Sequence, residues 1–443
     1  MKKILCLGLL VVSTLSFGQN ILPLRERAAV IEQLQEERLN ILLPQLMAQT
    51  DLDMWVLITR EYNEDPVVKT LLPPTWLNAR RRTILVFNKD PKTGSVERVA
   101  MTRYAFGKHF PSVWNKEEQP DQFQALADYI VTKKPQKIGI NISKEYGITD
   151  GLVQTDYQGL YDALPVTYRK RLVSAEPLAV AWIETRTPQE MVLFQQLTEI
   201  THQIVAEAFS TQVITPGVTT TEDVVWWMRE KILGMGLATW FHPTVDVQRS
   251  EASDLYAFDG QQKFDVILPG DLLHCDIGIT YLTLNTDCQE LAYVLRPGEK
   301  QAPTYLQEAL RQGNRVQDLF TQRFKTGRTG NETLAMSLKA GRDEGLRPQI
   351  YTHPLGTYGH SAGTTFGMWD AQEGVPGDGD RPLHENTAYA IELNTKVYID
   401  AWKKDIRIML EEPGFWGSEG FRYIHGRQTQ LLLVGGQSQH LGE

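Results

Sequence analysis

The sequence predicts a two-domain protein built from both helices and strands, and three observations carry that prediction. At 443 residues the chain exceeds what one ordinary hydrophobic core organises. Residues 20–180 alternate helix-like and strand-like patterns, which suggests an α/β unit. A fresh helix start near Thr185 then opens a second, larger unit over residues 185–443.

The first unit begins with "LRERAAVIEQLQEERLNILLPQLMAQTDLD", apolar at helical spacing, followed by the strand-like "MWVLI" from Met54 to Ile58. A second strand, "TILVF" (Thr83 to Phe87), follows the basic cluster Arg80-Arg81-Arg82, which reads as a solvated or domain-interface cluster. The helical "DQFQALADYIVTKK" precedes a third strand, "KIGINIS" (Lys137 to Ser143). The second unit opens on "TPQE". Thr187 is placed as N-cap, Pro188 at the first helical position and Glu190 as the return partner of a capping box. Leu193, Leu197, Ile200, Ile204 and Ala208 then share one helix face. "ITPGVTTTEDVVWWMREKIL" reads as a turn, a threonine N-cap and a second amphipathic helix, with its Met and Trp residues taken as core.

Composition is that of an ordinary globular chain, 42% hydrophobic and 22% charged, and the net charge of −9 gives no electrostatic reason to expect a nucleic-acid partner. The N-terminus "MKKILCLGLLVVSTLSFGQN" has the build of a secretory signal peptide. Two lysines precede an apolar run, and cleavage is expected near Gly18–Gln19, after residues 1–18. No later apolar segment is long enough to span a bilayer. The mature chain is therefore expected to be exported, periplasmic or secreted, with no membrane attachment.

The stretch "HCDIGITYLTLNTDC" holds Asp276 and Asp287 in what otherwise reads as a strand-turn-strand, where aspartate is a poor strand former. A register with Asp276 opposite Asp287 pairs Cys275 with Cys288, both aspartates on one face and both cysteines on the other. Opposed carboxylates repel unless a cation lies between them, although two solvent-facing aspartates on an edge hairpin would give the same pattern. Downstream, "THPLGTYGHSAGT" supplies His353 and His360, "AYAIELN" places Glu392 in an apolar strand, and "IRIMLEEPGFW" offers Glu411 and Glu412. Buried carboxylates need compensating charge. Such a set of oxygens with one imidazole suits two hard or borderline cations.

These segments, in this order, resemble the pita-bread metallopeptidases: Xaa-Pro aminopeptidase, prolidase, methionine aminopeptidase and the related creatinase. "CDIGITYLTLNTD" is similar to the family's D-x-G…(S/T)-D hairpin, "HPLGTYGH" to its H-x-x-G-x-x-x-H segment, "AIELN" to TIEPG and "IRIMLEEP" to the closing R-I-E strand. The resemblance implies an α+β fold, with a C-terminal pita-bread catalytic domain after a smaller creatinase-like α/β domain.

The resemblance also implies a metal site. Asp276 would hold one of two divalent ions, Asp287 would bridge both, and His353 and Glu392 would hold the second. Manganese stands foremost, with zinc, cobalt and iron also suited to the ligands. The last bridging residue is assigned to Glu411, which shares a strand face with Met409 after Arg407-Ile408; Glu412 is the alternative if a bulge intervenes. His360 and Glu392 take the catalytic places. His360 would steady the tetrahedral intermediate, and Glu392 or Glu411 would accept the proton of the attacking water.

The implied activity is hydrolysis of N-terminal peptide bonds, of Xaa-Pro aminopeptidase or dipeptidase type, with a peptide as substrate and a homodimer as the common assembly. One departure stands out. Relatives often carry a substrate-side histidine upstream of the first aspartate, where this chain reads "DLYAFDGQQ", with Tyr256, Phe258 and Asp259 but no histidine. That departure and Met409 keep two alternatives open: a fold that lost its chemistry and serves as a binding or scaffold module, or a creatinase-like hydrolase of a small molecule. In an exported chain a Cys275–Cys288 disulfide would brace the hairpin; the opposite reading is two buried free thiols. His274 shares the aspartate face, where it either packs or supports a ligand.

Overall fold

The computed structural model describes residues 21–250 and 265–435. The expected signal segment, and Tyr256, Phe258 and Asp259, lie outside the described residues.

In the N-terminal half, a five-stranded sheet runs in the order Val96–Ala100, Arg82–Lys89, Met54–Arg60, Ile138–Ile140 and Leu172–Ser174. The first three strands pair antiparallel and the last two join in parallel. Both faces are covered: Trp55, Leu57 and Phe87 enter one apolar cluster, Met54, Val56 and Ile84 another. That two-sided burial explains why these strands read as continuous apolar runs instead of alternating. Arg82, with Arg60, closes on the buried Asp156, and Arg80 lies over the Trp76 ring. The basic cluster is thus part of this domain's own packing.

The second half opens as its sequence demands. Thr187 and Glu190 form the capping box of helix Pro188–Ala208, and Leu197, Ile200, Ile204 and Ala208 are buried with Leu193 packed at their edge. The same Glu190 also receives Arg38 from the long N-terminal helix at 3.0 Å, tying the two halves together. Thr220 caps helix Thr221–Gly234. There Met228 is buried, but Trp226 is 51% exposed and meets His242 edge-on, contrary to its expected place in the core.

Among the described residues four further sheets follow, given by their strands. Thr244–Gln248, Leu272–Ile277, Cys288–Val294 and Leu432–Val434 form one; Pro348–Ile350, Leu393–Ile399 and Lys404–Leu410 form another. A third holds His353–Pro354, Thr387–Ala390, Pro413–Gly417 and Gly420–Tyr423, and the fourth the short strands Ala238–Thr239, Ile279–Tyr281 and Leu284–Asn285. Helix Thr304–Thr321 covers two of them, and Gly313 lets it approach closely: a Cβ there would lie 2.7 Å from Ile408.

The hairpin register differs from expectation by two residues. Asp276 lies opposite Gln289, Cys275 opposite Glu290, and Ile277 opposite Cys288. The turn decides this. Tyr281 pairs with Leu284, so Leu282 and Thr283 are the two central residues, with φ of 49° and 70°. Two-residue turns of this hand normally announce themselves with Asn-Gly or Asp-Gly; here burial of Leu282 in the main core compensates for the unfavourable backbone. A two-residue shift preserves the alternation, so Asp276 and Asp287 still share one face and the cysteines the other. The Cys275–Cys288 bridge is not formed: the two are not directly opposed, and both are buried free thiols.

Candidate metal centre

Four chain segments, remote in sequence, deliver their polar groups to one place. Asp276 stands near the end of strand Leu272–Ile277, and Asp287 immediately precedes Cys288–Val294. His353 begins the short strand paired with Thr387–Ala390, Glu392 sits between strands ending at Ala390 and starting at Leu393, and Glu411 follows Leu410. Oxygens of Asp276, Asp287 and Glu411 all lie within 4.8 Å of one another. The same spacing joins His353, Glu392 and Glu411, and again Asp287, His353 and His360. The structure therefore brings together Asp276, Asp287, His353, Glu392, Glu411 and His360. Glu412 it directs elsewhere, to His202 at 2.9 Å, because neighbouring residues leave an extended strand on opposite sides.

The electrostatics of this cluster are those of a cation site. Burial, followed by the neighbouring carboxylates, holds Asp287, Glu392 and Glu411 well above the ordinary carboxylate range, and burial raises Asp276 to about 6. His353 Nδ1 is engaged with the Pro354 carbonyl at 3.0 Å, which turns Nε2 toward Asp287 and Glu411 at 3.5 and 3.6 Å. His353 Nε2, Asp276 Oδ1 and Glu411 Oε1 are buried without a hydrogen-bond partner. Buried polar atoms are seldom left so. Acceptors clustered around an imidazole whose tautomer is set by a carbonyl fit a divalent metal ion.

Of the supporting layer, the sequence reading named His274 and missed Gln289. Gln289 donates from one amide nitrogen to Glu392 at 2.6 Å and to Glu411 at 2.9 Å, while its carbonyl oxygen meets His274 Nε2 at 2.9 Å. His274 in turn faces Asp246 at 3.7 Å. His274 thus acts behind the site, through Gln289. The available signal was alternation: Gln289 lies two residues beyond Asp287, on the same face. Replacing Gln289 by Leu is expected to lower metal affinity and kcat/KM by about 10- to 100-fold. Metal titration of the variant checks this, and unchanged affinity would refute the supporting role.

One wall of the site is aromatic. The Trp240 ring lies 5.1 Å from that of His360, which meets His353 at 4.7 Å. Trp240 Nε1 donates to the Thr286 carbonyl at 2.8 Å. Gly278 and Gly359 make room for it: a Cβ on either would come within 2.2–2.3 Å of the indole. Burial and the adjacent His353 push the His360 imidazole down to about 4, so it is neutral at neutral pH and keeps an N–H to donate.

The fold and this cluster define a class, the metal-dependent peptidases with a pita-bread domain. The match is direct for residues 193–416, which fit Metallopeptidase family M24. The chain belongs to metallopeptidase family M24. Solved structures agree on the fold. An X-Pro aminopeptidase from Thermotoga maritima MSB8 superposes with a TM-score of 0.62 at 14% identity, covering 88% of this chain and all of that one (100%). An Xaa-Pro dipeptidase from Bacillus anthracis gives 0.57 at 16% identity, covering 93% and 100%. The prolidase from Pyrococcus horikoshii OT3 gives 0.55 at 15%, covering 91% and 99%. No curated protein sequence matches this chain.

Proposed function

We propose that this chain is an exported, dinuclear metal-dependent peptidase that cleaves N-terminal peptide bonds, of the Xaa-Pro aminopeptidase or dipeptidase type. The observation that carries the reading is the convergence of four carboxylates and two histidines on one site. In this reading Asp276, Asp287, His353, Glu392 and Glu411 would hold two divalent cations, manganese foremost, with Asp287 and Glu411 as the residues able to serve both. Bound cations supply Lewis acidity and make a water acidic enough to attack near neutral pH. Glu392 or Glu411 takes up the water's proton, both held in place by Gln289. The neutral His360 donates its N–H to the oxygen that gains charge as the carbonyl becomes tetrahedral. Trp240 gives the substrate an apolar wall beside His360.

The similarity to X-Pro aminopeptidase, Xaa-Pro dipeptidase and prolidase structures supports an imino acid after the scissile bond, and the N-terminal "MKKILCLGLLVVSTLSFG" supports export. The test is to strip the mature protein with chelator, reload it with manganese, and assay Xaa-Pro dipeptides beside longer Xaa-Pro peptides. Manganese-dependent release of the N-terminal residue is expected, with close to two ions bound per chain. A fully loaded chain that cleaves neither substrate class would instead favour the binding or scaffold reading.

A further inference from the structure

The far face of the metal-site hairpin carries a second constellation. Because side chains alternate along a strand, Cys288 and Glu290 point away from the face that holds Asp287 and Gln289. Glu412 turns the same way, opposite to Glu411. Helix Pro188–Ala208 brings His202 against all three. Its Nε2 lies 2.9 Å from Glu412 and 3.8 Å from Glu290, and a donor atom of His202, Cys288 and Glu412 each lies within 4.8 Å of the other two. His202 Nδ1 meets His425 Nδ1 at 3.0 Å.

Charge in this pocket does not balance. Two carboxylates and a buried thiol face one imidazole, and among the described residues no lysine or arginine forms an ion pair with Glu290 or Glu412. The Glu290 side chain is 9% exposed, yet its carboxylate accepts no hydrogen bond among the described residues. Cys288 is fully buried. Among the described residues the one ionic partner of Glu290 is His202 at 3.8 Å, and a carboxylate held at that depth by so long a contact is weakly compensated. Glu412 is better satisfied, since its other oxygen accepts the Gln428 N–H at 2.8 Å.

We propose that Cys288, His202, Glu412 and Glu290 form a separate site for one divalent transition cation of the zinc class, back to back with the M24 centre across strand Cys288–Val294. Three of the donors, from Cys288, His202 and Glu412, converge, and the Glu290 carboxylate 3.8 Å from His202 Nε2 would complete the four-coordinate set such ions prefer. Metal–ligand bonds of about 2.0–2.3 Å set tetrahedral donors roughly 3.3–3.7 Å apart. The separations of 2.9 and 3.8 Å around His202 Nε2 bracket that range. On binding, the Cys288 thiol proton and the His202 Nε2 proton now shared with Glu412 both leave to solvent, freeing the sulfur and Nε2 to coordinate. His202 then donates its Nδ1–H to His425, the outer partner that fixes the ring of a ligating histidine. The ion would fasten helix Pro188–Ala208 to the two strands that carry Asp287 and Glu411.

The test loads the chelated mature chain with cobalt(II) and records its near-ultraviolet spectrum. A sulfur-to-cobalt charge-transfer band is expected, because the M24 cluster contains no thiolate. It should disappear in Cys288→Ser and persist in Cys275→Ser. It should also persist in a double variant, Asp276→Asn with Glu392→Gln, that disables the other centre, so failure here and failure of the peptidase reading are told apart. His202→Gln, which keeps the thiol, is expected to weaken cobalt binding at this site by at least about 10-fold. Absence of the band in the unmodified chain, or its survival in Cys288→Ser, would overturn the proposal whether or not any variant folds.

Discussion

Asp287→Asn is expected to cut kcat/KM by at least about 10³-fold and to bring the bound metal well below two ions per chain. The size follows from the several kcal/mol of charge stabilisation that a metal pair supplies, at 1.36 kcal/mol per factor of ten. Stability should respond with opposite signs in the two states of the protein. With chelator present, Asp287 is buried against Asp276 and Glu392, so removing its charge relieves repulsion and raises Tm. With metal at about 1,000 times its Kd, the unmodified chain gains about 4 kcal/mol, which the variant loses. Calorimetry with and without chelator reads both signs. A variant that retains two ions would sink the bridging role.

The same cluster fixes a pH dependence. Asp276 is held at about 6, against an ordinary value of 3.8, first because burial disfavours its charge. A carboxyl whose folded value is raised binds more protons in the folded chain than in the unfolded one. Its contribution to the stability of the metal-free protein is therefore complete below the unfolded value and is lost as pH rises through the folded one. Metal affinity runs the other way, since cations bind the ionised forms. Chelated protein should melt lower at pH 8 than at pH 5, and loaded protein should reverse the order.

His360→Ala is the second substitution with a large expected effect. Loss of one donor to a developing oxyanion lowers kcat by about 10²- to 10³-fold. Although His360 lies close to Asp287 and His353, it is assigned to substrate, so metal content should stay near two ions and KM should change little. Paired kinetics and metal analysis separate the alternatives. A fall in bound metal would make His360 a ligand, and an unchanged kcat would remove it from the reaction.

Much of this was legible in the sequence where the signal is local. The Thr187–Glu190 capping box, the buried face of the following helix and the strands Met54–Arg60 and Arg82–Lys89 all follow from patterns within one element. The order of Asp276, Asp287, His353, Glu392 and Glu411 was readable as four motifs that resemble one family's in sequence; Glu392 stands out by itself as well, an acid in an apolar strand. Parity along a strand even preserved the common face of the two aspartates through an error of two in register.

Tertiary structure alone decided the rest. The turn at Leu282-Thr283 carries no Gly, Asn or Asp; what holds its positive φ is burial of Leu282 in a core assembled from distant segments. Strand parity with Met409 favoured Glu411, but setting Glu412 aside required knowing which side of the sheet holds His353 and which holds His202. Gln289, His202 and His425 show no motif, because the contacts Gln289–Glu392, His202–Glu412 and His202–His425 join residues 103 to 223 positions apart. Short-range periodicity says which face a side chain takes, while its neighbour across that face is chosen only when the sheets and helices pack.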